Sequence, residues 1–319
     1  MRFLPDRFTL LLITTVIIAS LLPAHGQGIE IFGWITNIAV ALLFFLHGAR
    51  LSRDAIVAGI THWRLHLTIF SATFLVFPLL GVILKPVLEP LVTPELYLGI
   101  LFLCCLPATV QSAIAFTSMA RGNVPAAVCS ASASSLLGIF LTPLLVGTVV
   151  ASAAAAPISF DAVGKIMLQL LLPLVLGQLL RPWIGAWVHK RKSMLKWVDQ
   201  GSILLVVYTA FSEAVNEGLW RNTPVPALLG LVVACCLILA LALGASQLLG
   251  KVFKFNLEDR ITLLFCGSKK SLASGIPMAQ VIFAGQAVGA IVLPLMLFHQ
   301  IQLMVCAVLA ARYARRPEE

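Results

Sequence analysis

The chain has 319 residues, of which 60% are hydrophobic and 11% are charged, and its mean hydropathy is +1.01. Soluble domains carry about a quarter charged residues, whereas an apolar stretch of about 20 residues fills a bilayer core of roughly 30 Å. The composition therefore indicates a polytopic membrane protein and excludes a soluble enzyme, a nucleic-acid-binding protein and a disordered chain. In such a protein the formal charge of +9 is interpreted through membrane topology first.

The predicted fold class is all-α, because apolar windows alternate along the chain with proline, glycine or charged residues. Ten windows are long enough to cross a membrane: 8–24, 31–48, 66–85, 94–121, 124–151, 163–182, 201–217, 224–250, 260–284 and 286–312. The first window also fits a cleaved signal peptide, since Arg2 and Arg7 precede its apolar residues and it ends near Ala24-His25-Gly26. We count it as a span because an even number of spans agrees with the distribution of lysine and arginine described next.

Lysine and arginine are distributed unequally between the two sides that ten spans would create. With the N-terminus in the cytoplasm, seventeen of the 22 basic residues fall on the cytoplasmic side, three fall outside, and Lys269 and Lys270 fall inside the ninth span. Basic residues concentrate in cytoplasmic loops, so both termini are predicted to be cytoplasmic. We expect an integral protein of the bacterial inner membrane.

A weak internal repeat relates the two halves of the chain. An offset of 159 residues aligns Gln111–Ala120 with Lys270–Ala279, and aligns Pro23 at the end of span one with Pro182 at the end of span six. Five spans per copy is an odd number, so the second copy must enter the membrane from the opposite side, as in secondary transporters with inverted repeats. We predict one integral membrane transporter domain over 1–319, with repeats at about 8–151 and 163–312.

The fourth and ninth spans carry residues that interrupt helices. Pro107 precedes the polar residues 109–112 in span four, and span nine contains Gly267-Ser268-Lys269-Lys270-Ser271 followed by Pro277. Broken backbone at membrane depth is tolerated where protein or a water-filled cavity satisfies its polar groups. We therefore expect the two interrupted segments to meet beside an aqueous pocket, although two proline-kinked helices without a binding site also fit these residues.

Two lysines in the ninth span indicate an ion or anion site. Lys269 lies nine residues after Arg260, which places it about 14 Å deep, near the middle of the bilayer. A cation at this depth costs at least about 2.5–3.5 kcal/mol, so two in succession need a cavity, an anion or a deprotonated state. Burial favours the neutral amine, and a buried lysine is therefore also a candidate proton carrier.

With these features the chain resembles the bile acid:sodium symporter (SLC10) family, most closely the branch that includes its seventh vertebrate member and bacterial and yeast relatives. The resemblance covers essentially the whole chain. It rests on Met119-Ala120-Arg121-Gly122-Asn123-Val124, on Cys266-Gly267-Ser268-Lys269-Lys270-Ser271 and on Phe298-His299-Gln300. It implies a panel domain, a core domain with two crossed discontinuous helices, and alternating access for an amphipathic or organic anion.

The resemblance also implies sodium ligands that this chain largely lacks. The family's glutamate, glutamine, asparagine and hydroxyl ligands align at or near Phe265, Lys269, Ala113, Thr73, Ala127 and Ala131. This loss of oxygen ligands makes sodium coupling doubtful and leaves coupling to protons open. We hypothesise that Lys269 takes the place of a bound cation and that Lys270 faces the substrate anion.

The candidate residues for binding substrate or ions are Gln111, Ser112, Ser268, Lys269, Lys270, Ser271, His299, Gln300 and Thr73. No catalytic residue, metal site or cofactor is expected. The expected partners are a small organic anion and the lipid bilayer, with no nucleic acid. The sequence indicates neither the identity of the substrate nor the oligomeric state.

Secondary active transport of an organic anion explains the repeat, the breaks and the lysines together. One alternative is a regulator of calcium homeostasis with no transport of its own, which the eukaryotic relatives of the same branch suggest. A third class, an intramembrane enzyme, would pair Ser268 or Ser271 with a lysine as nucleophile and base, and we do not expect it.

Overall fold

The computed structural model describes residues 7–50, 62–154, 160–284 and 286–316, and within these ranges it contains helices and no strands. The main helices are α1 (Arg7–Leu21), α2 (Gln27–Arg50), α3 (Trp63–Ile83), α4 (Pro94–Cys105), α5 (Val110–Met119), α6 (Val124–Ala154), α7 (Phe160–Lys190), α8 (Lys192–Asn216), α9 (Val225–Val252), α10 (Leu257–Gly267), α11 (Leu272–Ile282) and α12 (Val288–Ala314). Short helical turns occur at Lys85–Leu88, Glu89–Leu91 and Leu219–Asn222. The predicted all-α class is confirmed.

Six of the described helices are long and apolar enough to cross a membrane, namely α2, α3, α6, α7, α9 and α12. The pair α4 and α5 passes the same criterion as one span bent by 63°. The helices in the other predicted spans do not meet this criterion of length and apolar composition. Helix α1 has 15 residues, α8 begins with charged residues, and α10 and α11 have 11 residues each. The arrangement of ten spans therefore stays a prediction.

One compact unit of the chain comprises Met1–Ser52, Ile158–Pro224 and Ile276–Val292. In it α2 packs along α7, and α8 lies against both α1 and α2. The buried hydroxyl groups of Thr36 on α2 and Thr209 on α8 are 2.8 Å apart and share a hydrogen bond. This bond satisfies two polar groups inside an otherwise apolar interface.

The helices α2 and α7 bring their backbones into contact through two glycines. A Cβ atom on Gly48 would lie 2.0 Å from the carbonyl oxygen of Leu174, and one on Gly177 would lie 2.0 Å from that of Phe45. The two contacts are reciprocal, because each glycine faces the backbone of the other helix. Small residues allow this close packing between helices in lipid.

The second compact unit comprises Arg53–Pro157, Val225–Gly275 and Leu293–Glu319. It contains α3 to α6, α9, α10 and most of α12, and α10 packs against α3, α5, α6 and α9. The residues that follow α10 are therefore surrounded by helices of the same unit. Both interrupted segments of the chain lie in this unit.

Replacing Gly48 or Gly177 by alanine is expected to destabilise the protein by about 1–3 kcal/mol or more, because the added methyl group would overlap a carbonyl oxygen. Thermal unfolding of detergent-purified variants measures the effect. Gly33→Ala, on α2 with nothing within 4 Å of the added atom, is the matched control and should not lower the melting temperature. Equal melting temperatures for all three variants would contradict the close packing of α2 and α7.

Candidate binding site

The first break separates α4 from α5 at residues 106–109, and α6 supplies polar groups to it. Pro107 lacks a backbone N–H, so the helix cannot continue its hydrogen bonds through this position. The N–H of Ala108 donates to the hydroxyl of Ser134 (3.0 Å), and the hydroxyl of Thr142 donates to the carbonyl of Cys105 (2.9 Å). Side chains of α6 thus replace helical hydrogen bonds that the break removes.

The second break separates α10 from α11 at residues 268–271, and it touches the first directly. The N–H of Ser271 donates to the carbonyl of Pro107 (2.9 Å), and the hydroxyl of Thr109 donates to the carbonyl of Lys270 (2.8 Å). Gln302 on α12 holds Lys270 from the other side: its Oε1 accepts from the Lys270 N–H (3.0 Å) and its Nε2 donates to the Lys270 carbonyl (2.9 Å). The two breaks therefore meet, as the sequence predicts.

The side chain of Lys270 occupies a cage of three backbone carbonyl oxygens. Its Nζ donates to the carbonyls of Thr73 (2.8 Å), Cys104 (2.8 Å) and Leu106 (2.7 Å), and it lies 4.1 Å from the centre of the Phe77 ring. An ammonium group has three N–H donors, whereas a neutral amine has two. Three acceptors at hydrogen-bond distance fit the charged form, in which each N–H donor of Lys270 has an acceptor.

The carbonyl of Thr73 is available to Lys270 because of a π-helical turn in α3 over Ala72–Val76. The N–H of Phe77 donates to the carbonyl of Ala72 instead of that of Thr73. The next residue, Pro78, has no N–H to offer. Thr73 therefore contributes its main chain to the cage, while its hydroxyl donates to the carbonyl of Ile69 (2.9 Å) within α3.

Lys269 is buried to the same extent as Lys270 but has fewer partners. Both residues are 0% exposed. The Nζ of Lys269 donates to the hydroxyl of Ser112 (3.2 Å) and lies 3.8 Å from the centre of the Phe116 ring, both on α5. A cation over an aromatic face gains electrostatic attraction, yet this contact does not use the remaining N–H donors. Of the two buried lysines, Lys269 is therefore the one with donors to spare.

Neither lysine is paired with a carboxylate in the part of the chain that the structure describes. The ion pairs found there lie elsewhere, between Arg50 and Asp199 and between Lys85 and Glu89. The described ranges of the chain also contain no cluster of three histidine, cysteine or acidic side chains that could hold a metal ion. The contacts described above for the two amines are therefore with neutral groups: three backbone carbonyls, the Ser112 hydroxyl and two aromatic rings.

Asn123, which follows α5, attaches this helix and α6 to the beginning of α10. Its side-chain Nδ2 donates to Asp259 (2.8 Å), its carbonyl accepts from the Thr262 hydroxyl (3.1 Å), and its Oδ1 accepts from the Ala126 N–H at the start of α6 (3.1 Å). The preceding residue, Gly122, would place a Cβ 2.8 Å from a methyl group of Ile261. Gly122 and Asn123 thus fix the distance between the helices that carry the two breaks.

Several predicted site residues are brought together. Lys269 contacts Ser112, Lys270 contacts the carbonyl of Thr73, and the backbone of Ser271 connects the two breaks. The structure differs from the hypothesis in the order of the lysines, because Lys270 and not Lys269 is the one enclosed by oxygen atoms.

The remaining predicted site residues have different surroundings. The hydroxyl of Ser268 donates to a carbonyl of its own helix, and Gln111 is exposed on α5. His299 and Gln300 are half-buried on α12, and His299 Nδ1 lies 2.9 Å from the Nε2 atom of Gln302. Because that Nε2 is a donor, His299 accepts through Nδ1 and carries its proton on Nε2.

Sequence reasoning missed the polar side chains that satisfy the breaks. Gln302 lies three residues after His299, and Ser134 and Thr142 are eight residues apart on α6. Each is a buried polar residue in an apolar helix, which is the signal that could have identified it.

Three of the six positions named above for the family's sodium ligands are alanines. Ala113, Ala127 and Ala131 are buried in one hydrophobic cluster with Leu263 and Cys266. Their methyl groups pack in this cluster and offer no side-chain oxygen.

Comparison with known protein families assigns the chain to a family of transporters. Residues 6–315 match the model of the SBF-like CPA transporter family. The chain belongs to this family, and its resemblance to bile acid:sodium symporters is confirmed. It is an integral membrane protein of a transporter family.

Relatives align over nearly the whole chain. An uncharacterised protein of Pseudomonas aeruginosa is 67% identical, with 100% of this chain and 96% of the relative covered. The protein named "Putative symporter YfeH" of Escherichia coli is 59% identical, with 98% and 94% covered. Sodium/bile acid cotransporter 7-B of Xenopus laevis is 29% identical, with 97% and 91% covered.

The two lysines are expected to differ in their effect on stability. Lys270→Met leaves three buried carbonyls without donors, and each such group costs about 1–3 kcal/mol, so we expect a loss of about 3 kcal/mol or more. Lys269→Met removes a charge that has one hydrogen bond, and replacing a buried charge by an apolar side chain is often neutral or stabilising. Thermal unfolding of the two purified variants measures the change in stability for each. A larger loss for Lys269→Met than for Lys270→Met would contradict the distribution of hydrogen bonds described above.

Proposed function

We propose that the protein is a secondary active transporter of an organic anion that works by alternating access. The observation that carries the proposal is a pair of buried lysine amines without a carboxylate partner among the described residues. A buried cation without a counter-ion is costly, and an anionic substrate would compensate the charge. Membership in a transporter family supports the same conclusion.

The two lysines have different roles in this proposal. Lys270 acts as a fixed cation, because its ammonium group already has an acceptor for each donor. Lys269 binds the anion, because it has donors to spare and its hydrogen-bond partner Ser112 is half-buried, next to the exposed Gln111. This assignment reverses the hypothesis drawn from the sequence.

The surroundings of Lys269 suggest what kind of anion is bound. A carboxylate or sulfonate would accept from the amine and from the Ser112 hydroxyl. The ring of Phe116 beside the amine would contact an apolar portion of the same molecule. An amphipathic organic anion fits this combination, and the name of the Xenopus relative makes a bile acid a reasonable first probe.

Transport by this protein does not depend on sodium in our proposal. Alanine replaces side-chain oxygen at three of the aligned ligand positions, and Lys270 already supplies a positive charge. Protons are the alternative coupling ion. Lys269 is then the proton carrier, since a single hydrogen bond opposes its deprotonation.

The proposed architecture is the ten-span inverted repeat with both termini in the cytoplasm. Its support is that each compact unit takes helices from both halves of the chain: α1, α2, α7, α8 and most of α11 in one, and α3–α6, α9, α10 and most of α12 in the other. A broken pair of helices also occurs once in each half. Such pairing of corresponding elements is expected of two repeats that cross the membrane in opposite directions.

A ligand screen tests the assignment of the anion site. We expect taurocholate or another amphipathic carboxylate or sulfonate to raise the melting temperature of the purified protein equally in sodium chloride and choline chloride. Lys269→Met should abolish the response, whereas Asn37→Ala, on the separate unit that contains α2, should retain it. In proteoliposomes, uptake of the stabilising anion should persist without a sodium gradient.

Two outcomes would contradict the proposal. Strict dependence of uptake on sodium would rule out the role of Lys270 as a substitute cation. Absence of both anion binding and flux, together with altered cellular calcium on deletion of the gene, would favour the calcium regulator.

The topology has a separate test. A C-terminal fusion to green fluorescent protein should fluoresce, and the same fusion to alkaline phosphatase should be inactive, because the C-terminus is proposed to be cytoplasmic. Fusions after Asn222, between the short turn Leu219–Asn222 and α9, should show the opposite behaviour. The same activity pattern at both positions would contradict the ten-span arrangement.

A further inference from the structure

We infer that the carbonyls of Thr73, Cys104 and Leu106 form a binding site for a monovalent, ammonium-type cation, and that Lys270 is its covalently attached ligand. The inference rests on the role proposed for Lys270 and extends it to a property of the site itself. The site is defined by the three oxygen atoms, not by the lysine that fills it.

The cage is built by the backbone independently of Lys270. The Thr73 carbonyl has no donor in α3 because of the π-helical turn and Pro78. The Cys104 carbonyl loses its α-helical donor because the N–H of Ala108 is bound to Ser134. These causes remain when the lysine side chain is removed, so the oxygen atoms should still point at a common centre.

The third oxygen is held in place by the contact between the two breaks. Leu106 lies next to Pro107, whose carbonyl accepts from the N–H of Ser271. This bond involves the backbone only and does not depend on the Lys270 side chain. The position of the Leu106 carbonyl is therefore fixed from both sides of the break.

The chemistry of the cage selects a singly charged cation. Its ligands are neutral carbonyls, and the described residues near it include no carboxylate that would suit a divalent ion. Carbonyl oxygens can replace the hydration shell of a monovalent ion. The Phe77 ring, 4.1 Å from the lysine nitrogen, adds an aromatic face, which favours organic ammonium ions.

The attached lysine excludes free cations from the site. Gln302 holds both the N–H and the carbonyl of Lys270, so the ammonium group is presented to the cage at high effective concentration. A protein of this kind keeps a constant charge at the site whatever the ionic composition of the medium.

The experiment removes the lysine and supplies the cation from solution. Lys270→Ala is purified and its thermal unfolding is measured with chloride salts of ammonium, methylammonium, propylammonium, potassium, sodium and choline. Propylammonium has a three-carbon chain and an ammonium group, which match the three carbons and the ammonium group that the substitution removes. We expect it to raise the melting temperature of Lys270→Ala by about 5 °C or more at saturation, with smaller rises for ammonium and methylammonium.

The controls separate binding in the cage from general effects of salt. Choline has the same charge but no N–H donor, so it should have little effect. Lys270→Met fills the space without charge, and Lys269→Ala leaves the cage occupied by Lys270, so neither should respond to propylammonium. If Lys270→Ala aggregates on extraction, the yield of monodisperse protein extracted in each salt becomes the measurement.

Specific results would overturn the inference. One is an equal rise in the melting temperature of Lys270→Ala with choline and with propylammonium. Another is a rise with propylammonium that is as large for Lys269→Ala as for Lys270→Ala. The third is aggregation of Lys270→Ala in every salt alike. None of these depends on transport. A protein that binds no organic anion can still show the cation response, so failure of this inference and failure of the proposed function are distinguishable.

Discussion

The arrangement of the site depends on one constraint: the backbone groups of two interrupted helices must be satisfied inside an apolar environment. Each unsatisfied group in lipid costs several kcal/mol, which is why irregular backbone at this depth has to be buried in protein. Here the two breaks satisfy each other through Ser271 and Thr109, and the helix that follows each broken pair supplies further hydrogen bonds. Thr142 on α6 and Gln302 on α12 have equivalent functions in the two halves of the chain.

The same constraint explains why a lysine is tolerated in this position. Carbonyls released from helical hydrogen bonding need donors, and a buried ammonium group needs acceptors. Lys270 meets both requirements with one side chain, so the cost of burying its charge is offset by three groups that would otherwise be unsatisfied. Lys269 has no such arrangement, and its charge is the part of the site that an anionic ligand can stabilise.

The sequence was sufficient to predict the all-α class and the positions of both breaks, because proline and glycine have a direct effect on helical backbone. It was not sufficient to predict which lysine is enclosed. Adjacent residues diverge by about 100° in a helix, but in a non-helical segment their directions depend on the surrounding helices. The sequence does not show which backbone carbonyls lack a helical hydrogen bond. Only Pro78, five residues after Thr73, indicated that one carbonyl of α3 would have no N–H partner within its helix.

Interrupted helices in a transporter suggest hinges, but the bonds found here argue against flexing at these breaks. Four hydrogen bonds join the two broken segments directly, and Lys270 additionally attaches them to α3. Bending at either break would separate the Lys270 amine from its carbonyls and leave a buried charge without partners, which is strongly destabilising. A change of conformation linked to substrate should therefore preserve the Lys270 cage and act through Lys269, whose contacts with Ser112 and Phe116 both lie on one helix and can be exchanged for contacts with an anion.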